Sequence, residues 1–153
     1  MPPEIAQLLK GRGQQEILKY LIVFGGVPKY YDVLRKNQSF EKNMNTLCFQ
    51  KGGFFVSEVD KVFYSQFKEH QTYKKIANLL TQKSLSLEEL SKALNFKSGG
   101  SLKELLVNLE LSGFVRSYPN LETNGKKNQK YKFVDEFLRF YFSQMSQRVQ
   151  KIH

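Results

Sequence analysis

The sequence predicts a mainly α-helical protein with one small β-hairpin, and three observations lead there. Apolar residues recur at helical spacing over most of the 153 residues. Glycine, proline and Ser-x-x-Glu signals cut these runs into short helices. Only 114–118 and 131–134 read as strands, and the polar loop between them contains Asn124-Gly125.

Residues 1–63 form the first expected module. Pro2 and Pro3 suit a first helical turn, where a missing N–H costs nothing, and Ile5, Leu8 and Leu9 then share a face. Gly11 and Gly13 break this helix. Glu16 to Phe24 makes a second, with Ile17, Leu18, Leu21 and Ile22 expected inward. Gly25-Gly26 ends it as a left-handed cap, and Pro28 opens a helix through Tyr31, Val33 and Leu34. Ser39 can cap the next helix, whose stripe is Phe40, Met44 and Leu47. Gly52-Gly53 stops that one, and Ser57 with Asp60 resembles a further capping arrangement.

Residues 64–134 form the second. Gln71 to Gln82 is amphipathic through Tyr73, Ile76, Ala77, Leu79 and Leu80. Ser86 and Glu89 make a capping box for a helix over Leu87 to Leu94. Asn95 to Gly100 is expected as a turn, and Ser101 with Glu104 as a second capping box. The third helix carries Leu102, Leu105, Leu106 and Leu109 inward, and Gly113 ends it. Phe114 to Tyr118 and Tyr131 to Val134 then pair. Three helices and a two-stranded hairpin make the winged helix-turn-helix pattern. In residues 135–153, Phe137, Leu138, Phe140, Tyr141 and Phe142 make a helix aromatic on nearly every side, which must be buried or docked.

Composition narrows the chemistry. One cysteine, Cys48, excludes an internal disulfide, and two distant histidines offer no metal-ligand spacing. No apolar run approaches the roughly 18 residues of a membrane span, and the N-terminus lacks the basic start and apolar stretch of a signal peptide. A cytoplasmic location without membrane contact is the expectation. The formal charge is +10; residues 1–70 hold ten Lys/Arg against seven Asp/Glu, and residues 71–153 hold fourteen against seven. That excess suits either nucleic acid or a solvated lysine surface.

Three motifs occur in fixed order. Gly25-Gly26-x-Pro28-x-Tyr30 is followed by Gly53-Phe54-Phe55 and Glu58. Next come Ser98-Gly99-Gly100, Leu109 through Val115, and Lys126-Lys127. Last come Tyr131 and Asp135, with Phe137-Leu138-Arg139-Phe140-Tyr141. Over roughly residues 15–145 the chain resembles the lid and winged-helix region of prokaryotic AAA-type ATPases, the archaeal-ATPase group of the STAND class. The resemblance implies a lid in which Gly25, Gly26, Pro28 and Tyr30 form a nucleotide-facing motif, with Gly26 and Pro28 toward adenine. It also implies a terminal helix packed on the winged helix. ATP and magnesium are implied for a full-length ATPase, not for this chain. No Gly-x-x-x-x-Gly-Lys-Ser/Thr cradle is present, and no apolar strand ends in a magnesium-positioning acid. The P-loop domain would be a missing partner, and this chain by itself is expected not to hydrolyse ATP. Read without the resemblance, Gly-Gly-Val-Pro is a helix cap followed by a proline-started helix.

The candidate DNA-binding residues are Lys97, Ser98, Ser101 and Lys103 at the start of the third helix, then Arg116, Lys126, Lys127 and Lys130 on the hairpin. Lys103, Glu104, Asn108, Glu110 and Ser112 are expected on the solvent face of that helix. Lysines aimed at phosphates favour weak, sequence-tolerant contact. A protein partner competes with DNA for the winged helix. Glu58, Asp60 and His70 read as helix-surface residues rather than a catalytic group. The rival to an ATPase fragment is a free-standing winged-helix regulator whose first module dimerises.

Overall fold

A computed structural model describes residues 1–97, 99–121, 129–149 and 151. The protein is mainly helical with one small three-stranded antiparallel sheet. It divides into two compact units: residues 1–61 with 136–153, and residues 62–135. The C-terminal segment therefore groups with the first unit. Its Phe137 packs there, whereas the resemblance implied a helix docked on the second.

In the first unit, α1 (Pro3–Leu8), α2 (Gln14–Phe24), α3 (Pro28–Asp32) and α4 (Phe40–Met44) follow one another. A π-helical turn (Asn45–Phe49) and a 3₁₀ turn (Phe54–Val56) lead into α5 (Glu58–Gln66), which runs across the boundary between the units. Ser39 caps α4 by accepting from the Lys42 amide at 3.2 Å. The core holds Ile5, Leu9, Tyr20, Phe24, Tyr31, Cys48 and Phe55. Phe24 stacks on Phe55 at 4.6 Å between centroids, and Phe137 closes the cluster at 5.0 Å from both Phe55 and Tyr30.

The buried face of α2 differs from the expected one. Tyr20, Val23 and Phe24 point inward, whereas Leu18 is 58% and Ile22 65% exposed. From Ile17 to Phe24 every position but Lys19 is apolar, so spacing permits two stripes, and the larger aromatic rings occupy the core. The terminal helix is also longer than its aromatic run. α9 (Glu136–Phe140), a π turn (Tyr141–Met145) and α10 (Ser146–Val149) are continuous, and Met145 and Val149 bury the side of a stretch that reads as polar.

A polar clamp fixes the 33–39 connection. The fully buried Asn43 accepts from the Arg35 amide at 2.9 Å and donates to the Tyr20 hydroxyl and the Arg35 and Gln38 carbonyls. Arg12 donates to the same two carbonyls, pairs with Glu16 at 2.6 Å and lies over the Tyr20 ring. Together they satisfy backbone groups that no helix or strand does.

In the second unit, α6 (His70–Gln82) leads to β1 (Leu85–Ser86), α7 (Leu87–Leu94), α8 (Gly99–Leu111), β2 (Val115–Pro119) and β3 (Gln129–Phe133). Both bonds of the capping box at α7 are made: the Glu89 amide donates to Ser86 Oγ, and the Ser86 amide to Glu89 Oε2. Asn95 ends α7 at φ 55°, the left-handed position open to asparagine. The sheet has three strands in the order β1-β3-β2, not two. The extra strand is two residues long and is held by pairing with β3 far along the chain. α8 begins at Gly99, so Ser101 lies inside its first turn instead of capping it. Leu90, Leu102, Leu106, Leu109, Ile76 and Phe133 form the core.

Candidate functional site

The Gly-Gly-Val-Pro stretch is built by the end of α2 and the start of α3. Gly25 adopts φ 59°, ψ −142°, a combination essentially closed to other residues, and its amide donates back to the Leu21 carbonyl. The Gly25 carbonyl accepts from the Tyr31 hydroxyl at 2.6 Å. Gly25 is thus a sharp turn pinned from inside. Gly26 has no atom within 4 Å of a built Cβ, so its backbone is open to close approach. Pro28 is half-buried, while Tyr30 is 8% exposed with its ring among Phe24, Phe55 and Phe137. Of the four motif residues, Gly26 and Pro28 offer surface; Gly25 and Tyr30 serve the core. Gly26 suits close packing by a flat ring, and the cation within the motif, Lys29, is paired with Glu58.

Beside it, the helix-surface expectation for Glu58 fails. Glu58 is 3% exposed; one oxygen accepts from Lys29 at 3.0 Å and the other is buried with no hydrogen-bond partner among the described residues. Lys29 and Lys61 both approach the Phe54 ring, at 5.7 and 5.8 Å. Glu58 is the first residue of α5, just after the 3₁₀ turn at 54–56, and its charge gives no sign of this burial. Among the described residues no cluster of His, Cys, Asp or Glu could hold a metal ion, and no helix is long and apolar enough to cross a membrane.

The nucleic-acid candidates fall into two groups. Lys97, Ser101 and Lys103 are exposed around the start of α8. Arg116 and Lys130 lie on one face of the sheet. Ser98, Lys126 and Lys127 lie outside the described residues. Two neighbours were missed in the sequence. Lys132 stands directly opposite Arg116, and Tyr118 directly opposite Lys130. The alternation in Gln-Lys-Tyr-Lys-Phe, with Tyr131 and Phe133 buried, was the available signal.

Two residues expected on the solvent face of α8 are engaged instead. Asn108 donates to the Tyr73 hydroxyl at 2.8 Å, and Glu110 accepts from the Ser117 amide at 2.8 Å, joining α8 to α6 and to β2. A groove of about 590 Å³ runs beside α8, lined by Phe67, Tyr73, Phe96, Leu105, Asn108 and Leu111 among others. Phe67 stacks on Tyr73 at 3.9 Å in its wall.

No family model and no solved structure matches the chain. It is similar to the uncharacterized protein MJECL04 of Methanocaldococcus jannaschii, at 26% identity over 128 residues. That alignment covers 84% of this chain and 29% of the relative, so the chain spans less than a third of the length of the archaeal protein it matches.

Proposed function

We propose that this chain is the lid and winged-helix region of a STAND-like AAA-type ATPase, non-catalytic by itself, which couples nucleotide state to binding of DNA or a protein partner. The observation that carries the reading is the element order of the second unit. A strand between the first two of three helices, then a hairpin whose second strand pairs with that first strand, is the order of a winged helix-turn-helix. The open backbone at Gly26 supports a lid role for the first unit, since a nucleotide base can approach the backbone itself most closely where no Cβ stands. The alignment to part of a longer archaeal protein supports a region that works within a larger chain.

The test is calorimetric titration of magnesium-ATP. The chain by itself should bind negligibly. In a full-length ATPase carrying this region, Gly26→Val or Pro28→Ala should weaken nucleotide binding without unfolding the second unit. Micromolar binding by the isolated chain, or unchanged affinity in both variants, would overturn the nucleotide half of the reading.

A second reading, a free-standing winged-helix regulator with a helical dimerisation module, has its own observation. Leu18 and Ile22 stand one turn apart on α2, both mostly exposed, and Val27 is 39% exposed just beyond that helix. Sedimentation of the chain as a dimer, returned to monomer by Leu18→Glu, would favour this reading over the first.

A further inference from the structure

The geometry points to the outer face of the β-sheet as a binding platform for single-stranded nucleic acid. Strand alternation divides the sheet. Val115, Tyr131, Phe133 and Leu85 are at most 5% exposed and face the core. Arg116, Tyr118, Lys130 and Lys132 occupy the opposite face. Arg116 and Lys132 are exposed cross-strand partners, and the exposed Tyr118 pairs with the half-buried Lys130.

Like charges placed directly opposite one another destabilise a strand pair. Among the described residues, neither Arg116 nor Lys132 is in an ion pair that would relieve this. Of the nearby acids, Glu89 interacts with Lys130, but its carboxylate is bonded to the Ser86 amide at 2.7 Å in the α7 cap, and Glu110 is bonded to the Ser117 amide. The sheet therefore holds a repulsion that a bound polyanion would offset.

The ring of Tyr118 selects the kind of polyanion. Its side chain is 39% exposed, two residues along β2 from Arg116 and opposite Lys130. Two residues of strand span about 7 Å, so cations flank an aromatic surface at close range. A duplex hides its base faces and offers this patch phosphates only. A single strand offers phosphates to Arg116, Lys130 and Lys132 and a base face to Tyr118. The inference rests on the second unit being a partner-binding module, as proposed above, and not on nucleotide binding by the first.

The experiment is fluorescence anisotropy of the whole chain with labelled oligothymidylate, oligouridylate and a duplex of equal length, across a salt series. Single strands should bind more tightly than the duplex, and comparison of the thymidylate and uridylate arms tells DNA from RNA, binding to either supporting the platform. Tyr118→Ala should lower affinity for single strands roughly tenfold, while Tyr118→Phe preserves it. Arg116→Ala with Lys132→Ala should make the salt dependence shallower by about 0.7 per cation removed. The same double variant, without ligand, should melt at or above the wild-type temperature because the repulsion is gone. Lys51→Ala, an exposed charge of the first unit, should leave single-strand affinity unchanged. Absence of binding at low salt, equal binding of duplex and single strand, or single-strand affinity unchanged in Tyr118→Ala would each overturn the proposal. None of these outcomes depends on magnesium-ATP, so the nucleotide reading stands or falls separately.

Discussion

Glu136 lies over the α-carbon of Gly25: a Cβ built there would stand 2.5 Å from Glu136 Oε2 and 2.9 Å from Cδ. This ties the start of the terminal helix to the turn that opens the Gly-Gly-Val-Pro motif. The two glycines of that motif therefore have different reasons to be glycine. At Gly25 the reason is structural, because the backbone angles exclude a side chain and the Glu136 carboxylate would have to move to admit one. At Gly26 no structural reason exists within the fold.

Gly25→Ala should accordingly destabilise the chain by roughly 1–3 kcal/mol, almost all of it from the backbone conformation, since the end of Glu136 can swing away. Gly26→Ala should stay within about 0.5 kcal/mol of wild type. Urea unfolding of both variants checks this. Equal losses at the two positions would return Gly26 to an ordinary turn glycine.

Asn43→Ala should be among the most damaging single changes in the first unit. It strands the Arg35 amide and removes donors from two carbonyls and the Tyr20 hydroxyl, so a loss of about 2–4 kcal/mol is expected. Asn43→Asp retains the acceptor but buries a charge and should be no better. A shift in melting temperature no larger than that of an exposed substitution such as Lys51→Ala would show that the clamp is dispensable.

Much of the second unit was legible because its signals are local. The Ser86 and Glu89 box sets the start of a helix whose observed bounds, Leu87–Leu94, are the expected ones. What stayed hidden depends on distant partners. β1 exists only through β3, Asn43 matters only through loop carbonyls, and Lys132 gains meaning only from its register with Arg116. The inward face of α2 was misread because two apolar stripes compete there. Glu58 was misread because a charged residue at the start of a helix reads as solvent-facing, whereas here it is buried and paired with Lys29.

Alkaline pH should expose the burial of Tyr31. Desolvation, and then the Glu136 carboxylate, push its hydroxyl up to about 12 from the ordinary 10.0. A raised value in the folded state means that stability is full below pH 10 and falls as pH rises toward 12, by about 1.4 kcal/mol per pH unit for this group. Tyr31→Phe loses the bond to the Gly25 carbonyl, costing roughly 1 kcal/mol near neutrality, but should flatten the alkaline decline. Urea midpoints measured from pH 8 to pH 11.5 for both chains test the sign. Parallel curves would assign the decline to Tyr20, Tyr131 and Tyr141, whose hydroxyls burial also raises.

The two polar ties of α8 should separate structural support from ligand contact along this helix. Asn108 reaches Tyr73 at the edge of an open groove, where water can replace either partner, so Asn108→Ala should cost only about 0.5–1.5 kcal/mol. Tyr73→Phe should cost a similar amount, and the pair should be less than additive in a double-mutant cycle because one bond is counted twice. Glu110 accepts from a backbone amide in β2, which Glu110→Ala leaves without that partner, so its cost should be the larger of the two. Glu110→Gln keeps an acceptor and should recover most of the loss. Because both side chains are engaged within the unit, neither Asn108→Ala nor Glu110→Gln should alter affinity for oligonucleotides at temperatures where the chain is folded. A selective loss of duplex binding in Asn108→Ala, without loss of stability, would instead mark α8 as a reader of base edges and its bond to Tyr73 as one that opens on binding.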